Sequence, residues 1–564
     1  MADEGTTRRG LLAAGAGGLL SAGLLQHLEW VEDAFAAETG AAGLPSTPAS
    51  IAFNAFHAAP GTYSTFTLGC PGASGGLAMS AAASGSASGW QPANQDVFIG
   101  AERADGTLHA LPFFTAKSGD PSAIDIKSVA RDYRLATDDW TAGDLSFRIV
   151  SAAHGIPEPG KASEQEMRDG LLPAVLANVT LDNRDGAKPR RAFFGIGLPA
   201  GDTPPGTSPG TTVPATGQIS AGADGFVYDD GQGHEIGVYS SDPGASAAAG
   251  SDFPSALAAA AGSGQGSVGL LRFEVPAGRQ MTFRIALAFY HGGTVAQGPG
   301  IEASHWYAKL FPDLDAVARH ALGNYDRLAR DWAAENRVVD DAALSSDQRF
   351  LLVHGFRSYF GNTRLLAVGD RPLWMVLEGQ YAGYNTSDLF VDHAFFELRT
   401  NPWTVRNLLE WFLERYSYTD NTRAVLPGTD VHDPRPLPGG ISFTHDMGTS
   451  GVFFPQGYSG YEHPELSGVA AYMTAEELTN WTLAALMYIE QTQDDVWAKA
   501  HAGTLEACLT SLVNRDDSDP AKRDGVMTLE SDRAGIFEHE ITTYDALDAS
   551  LGPARRSAYL ACKQ

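Results

Sequence analysis

MTFRIALAFYHGG, residues 281–293, decides how this 564-residue chain is read. Met281, Phe283, Ile285, Leu287 and Phe289 alternate with Thr, Arg and Ala, the period-two pattern of a strand with one face in a core. It is the last of a series. Upstream lie TYSTFTLG (62–69), DVFIGAE (96–102), DLSFRIVS (144–151), VLANVTLDN (175–183), RRAFFGIG (190–197) and GLLRFEVPAG (269–278), separated by Gly, Pro, Asn and Asp. Many short strands with turn signals between them predict a β-sandwich over residues 50–300. VTLDNRDG followed by AKPRRAFFGIG reads as a hairpin. The Pro/Gly-rich insert 203–217 and the small-residue run GASAAAGS (244–251) read as surface loops. Gly206-Thr-Ser208-Pro-Gly210 matches a hydrolase elbow pattern only formally, since proline follows the serine and no strand–helix context surrounds it.

Beyond Ser304 the period becomes helical. Ser345-Ser-Asp-Gln348 is a capping box ahead of Phe350, Leu351, Phe356 and Tyr359. Asn401-Pro402 supplies an N-cap and an N1 proline before Val405, Leu408, Leu409, Phe412 and Tyr416. Thr474-x-x-Glu477 opens a further helix, another spans about 494–513, and a last one starts near Asp545. The expected order is thus a sandwich, a helical linker over 301–344, and an all-α domain over 345–564. Three long segments, 365–386, 419–470 and 515–544, read as aromatic, acidic loops, the kind that carry function. Trp374, Tyr381, Tyr384, Phe454, Tyr458 and Tyr461 lie in them.

Lys plus Arg number 39 and Asp plus Glu 67, a net charge of −28. Such a chain repels phosphate backbones and anionic bilayers, which excludes nucleic-acid and lipid partners and leaves neutral ligands such as sugars. Cys70, Cys508 and Cys562 have no metal-knuckle spacing. At the N-terminus Arg8-Arg9 precede a Gly/Ala-rich apolar run that ends in Ala34-Phe-Ala36. This pattern predicts a twin-arginine export signal over residues 1–36 and an extracellular or periplasmic protein.

Glycoside hydrolysis needs two carboxyl groups, one protonated for the leaving oxygen and one ionised toward the anomeric carbon. The candidates are Glu378, Asp388, Asp392, Asp446, Glu538, Glu540 and Asp545, and spacing does not choose among them. His445-Asp446 lacks the serine of a triad and is read as a hydrogen-bonding pair. Glu538-His539-Glu540 lacks HExxH spacing. No metal and no cofactor is expected.

Long strings complete the reading. NPWTVRNLLEWFLERYSYTD (401–420), GISFTHDMG (440–448), YIEQTQD (488–494), DGVMTLES (524–531) and EITTYDALDASLG (540–552) closely resemble glycoside hydrolase family 52, the β-xylosidases. So do FNAFHAAPGTYSTFTLG (53–69), DWTAGDLSF (139–147) and PRRAFFG (189–195). The resemblance implies an N-terminal β-sandwich and a C-terminal (α/α)6 barrel, incomplete in this chain, with further helices beyond Gln564 in other members. It implies a retaining, exo-acting β-1,4-xylosidase that releases xylose from xylo-oligosaccharides, and a homodimer. Glu378 matches the family's nucleophile and Asp545 its acid/base. Gln380 and Leu377 replace the family's glutamate and asparagine beside the nucleophile. Trp374, His445, Asp446 and Glu540 are the expected sugar contacts. The alternatives are the same architecture with another sugar specificity, or a truncated, inactive sugar-binding protein.

Overall fold

The computed structural model describes residues 53–69, 75–79, 95–112, 121–198, 218–229, 233–379, 383–449, 451–459, 473–534, 539–540 and 556–563. The expected export signal, the 203–217 insert, Gln380, Tyr381, Tyr461, Glu538 and Asp545 lie outside these residues.

The opening strand is the hinge of the architecture. Arg279–Tyr290 sits inside a nine-stranded sheet, between Glu235–Tyr239 and Ala174–Asn183. Its odd residues Phe283, Ile285, Leu287 and Phe289 enter one core, shared with Phe194, Ile196, Leu271 and Phe273 of a facing six-stranded sheet. Its even residues Ala286, Ala288 and Tyr290 enter a second core with Val317, Ala318 and Ala321 of helix Leu314–Gly323. Alternate residues point to opposite faces, so large side chains fill the gap between sheets while alanines let a helix lie close on the other side. Each fully buried Phe, Ile or Leu contributes about 1.5–3 kcal/mol.

Two expectations for the β region are corrected. Ala174–Asn183 and Arg190–Gly197 are not a hairpin, because the first pairs with Arg279–Tyr290 and Leu145–Val150 and the second with Val268–Val275 and Asp96–Glu102. The turn between them is a corner that carries the chain from one sheet to the other. Asn183 fastens it, donating from Nδ2 to the carbonyls of Lys188, Val275 and Pro276. GASAAAGS is not a surface loop either. Ala245–Gly250 is a strand on Val268–Val275, with Ala247, Ala248 and Ala249 buried. Its small residues suit close cover: a Cβ on Gly250 would fall 2.4 Å from Ser255 Oγ of the helix Phe253–Ala258.

A further sheet, also of six strands, crosses the expected boundary at residue 301. It runs Arg371–Val376, Thr363–Val368, Ile301–His305, Thr294–Gly298, Val452–Phe453 and Gly448–Thr449. Residue 301 therefore follows directly on the turn of a hairpin, 294–298 with 301–305. The front of the chain docks here too. Tyr63 donates its N–H to Thr363 O (3.0 Å), Leu365 to Gly61 O (2.7 Å), and Gly61 to Thr363 Oγ1 (2.8 Å).

The segments read as loops contain strands. LLAV and RPLWMV flank Gly369-Asp370 and pair in register, Leu365 with Trp374 and Ala367 with Pro372. Ser417–Arg423 and Leu437–Phe443 form a second pair, joined by the two-residue strand Glu530–Ser531. The major helices behind these sheets are Ser346–Gly361, Ser387–Thr400, Pro402–Arg415, Thr474–Thr492 and Asp495–Asp516. The Ser345–Gln348 capping box is formed, and Pro402 occupies the first turn of its helix. The fold is β-rich and then helical, with mixed strands between the helices. No described helix is long and apolar enough to cross a membrane.

Candidate active site

Glu378 stands just past the end of strand Arg371–Val376, where the chain turns back. Its N–H donates to Gly383 O (2.9 Å), and Leu377 bridges to Tyr384. Asn385 holds the return from a left-handed conformation, φ 53°. Its Oδ1 accepts from Val376 N–H (2.7 Å) and its Nδ2 donates to Trp374 O (3.0 Å). The amide side chain thereby replaces strand bonds that a turn cannot make.

The Glu378 carboxylate is half-buried, and its Oε2 accepts from Thr386 Oγ1 at 3.0 Å. A Cβ on Gly383 would lie 2.9 Å from that oxygen and 2.8 Å from Thr386 Oγ1, so only glycine leaves the carboxylate room. Burial pushes Glu378 above the usual carboxylic range; the Thr386 hydroxyl and the His445 charge pull it down, and Asp388 and Asp446 push it up.

Behind Glu378 lies a buried charged cluster. Ser387 N–H donates to His445 O (2.7 Å) and ties the start of helix Ser387–Thr400 to the 445–446 segment. His445 Nδ1 meets Asp446 Oδ2 at 3.0 Å, and its Nε2 is 3.7 Å from Asp388 Oδ1. Asp446 Oδ1 accepts from Gly448 N–H (3.0 Å). Ligand atoms of Asp388, His445 and Glu477 all lie within 4.8 Å of one another. Burial alone would lower His445, but the Asp446 hydrogen bond and the charges of Glu477, Asp446 and Asp388 raise it to about 10. It is an imidazolium at neutral pH. Burial raises Glu477 well above the usual range, more than the His445 charge lowers it.

Of the expected sugar contacts, His445 and Asp446 are brought to Glu378, but both are buried and bonded to protein. They act on Glu378 through charge. Trp374 is corrected from ring platform to core residue. It is 1% exposed, its Nε1 donates to Glu397 Oε1 (2.8 Å), and its ring meets Trp403 edge-on. Glu540 is likewise fully buried. Its Oε1 accepts from Ala475 N–H (2.7 Å) and its Oε2 from Ser531 N–H (2.8 Å). It does the work expected of Thr474: the helix starts after Met473, whose side chain makes no cap, and a distant carboxylate takes the orphan amide. Burial pushes Glu540 up to about 7, against the pull of Arg515 and the two amides. Asp392 is exposed on its helix. Among the remaining aromatics, Tyr384 is buried, whereas Tyr458 is 40% exposed and shares Arg533 with Tyr418.

Thr386, Gly383 and Asn385 were not singled out by the sequence reading. YAGYNTSD carries no motif, and their roles arise only when the turn folds back on Glu378. Glu477 was read as a capping-box partner because it lies three residues after a threonine. A protonatable carboxyl group with an ionised partner beside it, at the mouth of a turn, is equipment for acid–base or nucleophilic chemistry.

Comparison with known proteins agrees with this chemistry. A β-xylosidase of Geobacillus stearothermophilus is 40% identical over 541 residues, covering 92% of this chain and 73% of that protein. A second β-xylosidase of the same organism is 35% identical over 523 residues, covering 86% of this chain and 79% of that one. A GH92 inverting mannosidase from Bacteroides thetaiotaomicron covers 64% of this chain and 45% of its own, with 9% identity and a TM-score of 0.30, too slight a likeness to bear on fold or mechanism. Residues 66–488 match the description Glycosyl hydrolase family 52. The chain belongs to that family and is a glycoside hydrolase.

Proposed function

We propose that the protein is a retaining, exo-acting β-1,4-xylosidase that removes xylose from the non-reducing ends of xylo-oligosaccharides. Glu378 is the nucleophile and Asp545 the acid/base. The observation that carries the reading is the setting of Glu378. Thr386 holds Oε2 and Gly383 leaves space beside it, so Oε1 is the oxygen available to attack. In the first displacement Oε1 bonds to the anomeric carbon while Asp545 gives its proton to the departing glycosidic oxygen. In the second, Asp545 takes a proton from water, which attacks the same carbon and frees Glu378. The His445 imidazolium pulls Glu378 down where the charges of Asp388 and Asp446 push it up.

Hydrolysis of an aryl β-xyloside by the wild type, Glu378→Gly and Asp545→Ala tests the assignment. Both variants should lose at least about three orders of magnitude. Azide should restore turnover with an α-xylosyl azide from Glu378→Gly and a β-xylosyl azide from Asp545→Ala. Equal rates in all three proteins would end the assignment. A panel of aryl glucosides and arabinosides tests the sugar, because a pentose pocket must refuse the C6 hydroxymethyl group.

We further infer that the helices after residue 345 belong to an (α/α)6 barrel. The packed successive pairs Ser387–Thr400 with Pro402–Arg415, and Thr474–Thr492 with Asp495–Asp516, support this. Export through the twin-arginine route is inferred from Arg8-Arg9 and the run after them, and a homodimer from the family resemblance. Fractionation of a signal-bearing strain and light scattering test the two.

A further inference from the structure

Two stretches about a hundred residues apart, the 432 turn and residues 530–539, meet in one side-chain cluster. His432, next to Asp433 whose N–H pairs with Ala424 O, is fully buried. Glu530, in the strand Glu530–Ser531, is fully buried as well. His539, 9 residues on from Glu530, is 24% exposed. His432 Nε2 and His539 Nδ1 both turn to the same atom, Glu530 Oε2, the second at 3.2 Å, and their rings are 5.2 Å apart. The three ligand atoms lie within 4.8 Å of one another. Each imidazole nitrogen facing that carboxylate oxygen either carries a hydrogen and donates it there, or is bare and shares a metal ion with the oxygen.

We propose that His432, Glu530 and His539 form a site for a first-row divalent cation, Zn2+ being the ion that two imidazoles and a carboxylate suit best. The three side chains supply three ligands and leave one position to water, reached past the exposed edge of His539. The ion ties the 432 turn and the Glu530–Ser531 strand to the segment that carries Glu540, whose N–H also reaches Glu530 Oε2 (3.3 Å). Its work is to fasten the anchor of helix Thr474–Thr492, without touching the sugar.

The test uses the whole protein, stripped with a chelator, dialysed and titrated with Zn2+ by calorimetry. One ion per chain should bind, with heat-unfolding moved to higher temperature. Co2+ in its place should show the visible absorption of a low-coordinate site. His539→Ala, chosen because His539 is the least buried of the three, should bind at least about tenfold more weakly and lose the thermal shift. Glu530→Gln should do the same, with circular dichroism confirming that it folds. Absence of Zn2+ binding by the wild type overturns the proposal and assigns the cluster to N–H···O hydrogen bonds from the two imidazoles. So does wild-type affinity in His539→Ala. Loss of binding in His445→Gln but not in His539→Ala overturns it too, since the ion would then belong to Asp388, His445 and Glu477.

Discussion

Thr386→Val removes one hydroxyl and changes almost nothing else, because valine keeps the shape of threonine. The lost group is the donor to Glu378 Oε2 at 3.0 Å. That bond favours the ionised carboxylate, so its loss must raise a group that burial has already raised. A hydrogen bond to a charged group contributes about 1.5–3 kcal/mol. Glu378 is half-buried, so water recovers roughly half of it, leaving about 0.7–1.5 kcal/mol. At 1.36 kcal/mol per unit, the carboxyl moves up by about 0.5–1 unit. The assay is kcat/KM for an aryl β-xyloside against pH, whose acidic limb reports the base in the free enzyme. That limb should shift to higher pH in Thr386→Val, with the plateau above it lowered far less than in Glu378→Gly. An acidic limb that stays in place, or moves down, would refute both the role of Thr386 and the placing of Glu378 on that limb.

Gly383→Ala should fold normally yet lose at least about tenfold in kcat, because its Cβ would fall 2.9 Å from the Glu378 oxygen; circular dichroism beside steady-state kinetics checks this. His445→Gln strips the cation from among Asp388, Asp446 and Glu477 and should cost about 3–5 kcal/mol in urea unfolding, the cost of leaving buried charge unpaired. Glu540 sits at about 7 in the fold, above its unfolded value of 4.5, so its contribution to stability is complete below about 4.5 and lost as pH rises through about 7. Stability of the wild type relative to Glu540→Gln should therefore fall across that window, and unfolding curves at several pH values that keep a constant difference would contradict it.

Periodicity carried much of the fold. The alternation in 281–290 announced a strand, and its alanines on the even face turn out to seat a helix. Capping signals placed the starts of Ser346–Gly361 and Pro402–Arg415. What failed was long-range pairing. VTLDNRDG has the chemistry of a hairpin turn, but whether its strands share a sheet depends on partners some 90 residues away. LLAVGDRPLWMV was itself a legible hairpin, hidden by reading aromatic residues as loop markers. At the site, Glu378, His445 and Asp446 were visible as residue types in the right segments. Trp374 was not, since nothing local says whether an indole N–H finds Glu397 or a sugar. The cap on Ala475 was invisible for the same reason: its acceptor comes 65 residues later.

The docking of Gly61 and Tyr63 onto Thr363 and Leu365 spans 302 residues. On the ribosome that separation is a waiting time. At about 5–20 residues per second, some 15–60 s pass between the emergence of the two partners. The sandwich can close in that interval, but the turn groups of Gly61 and Tyr63, between strands already paired with each other, stay without these bonds until the hairpin at 363–376 arrives. The nascent chain thus carries an undocked turn for tens of seconds, long on the scale of folding and long enough for holdase chaperones to find it. Slower elongation between these points lengthens the exposure, so yield in a foreign host should respond to codon choice within this stretch more than after it.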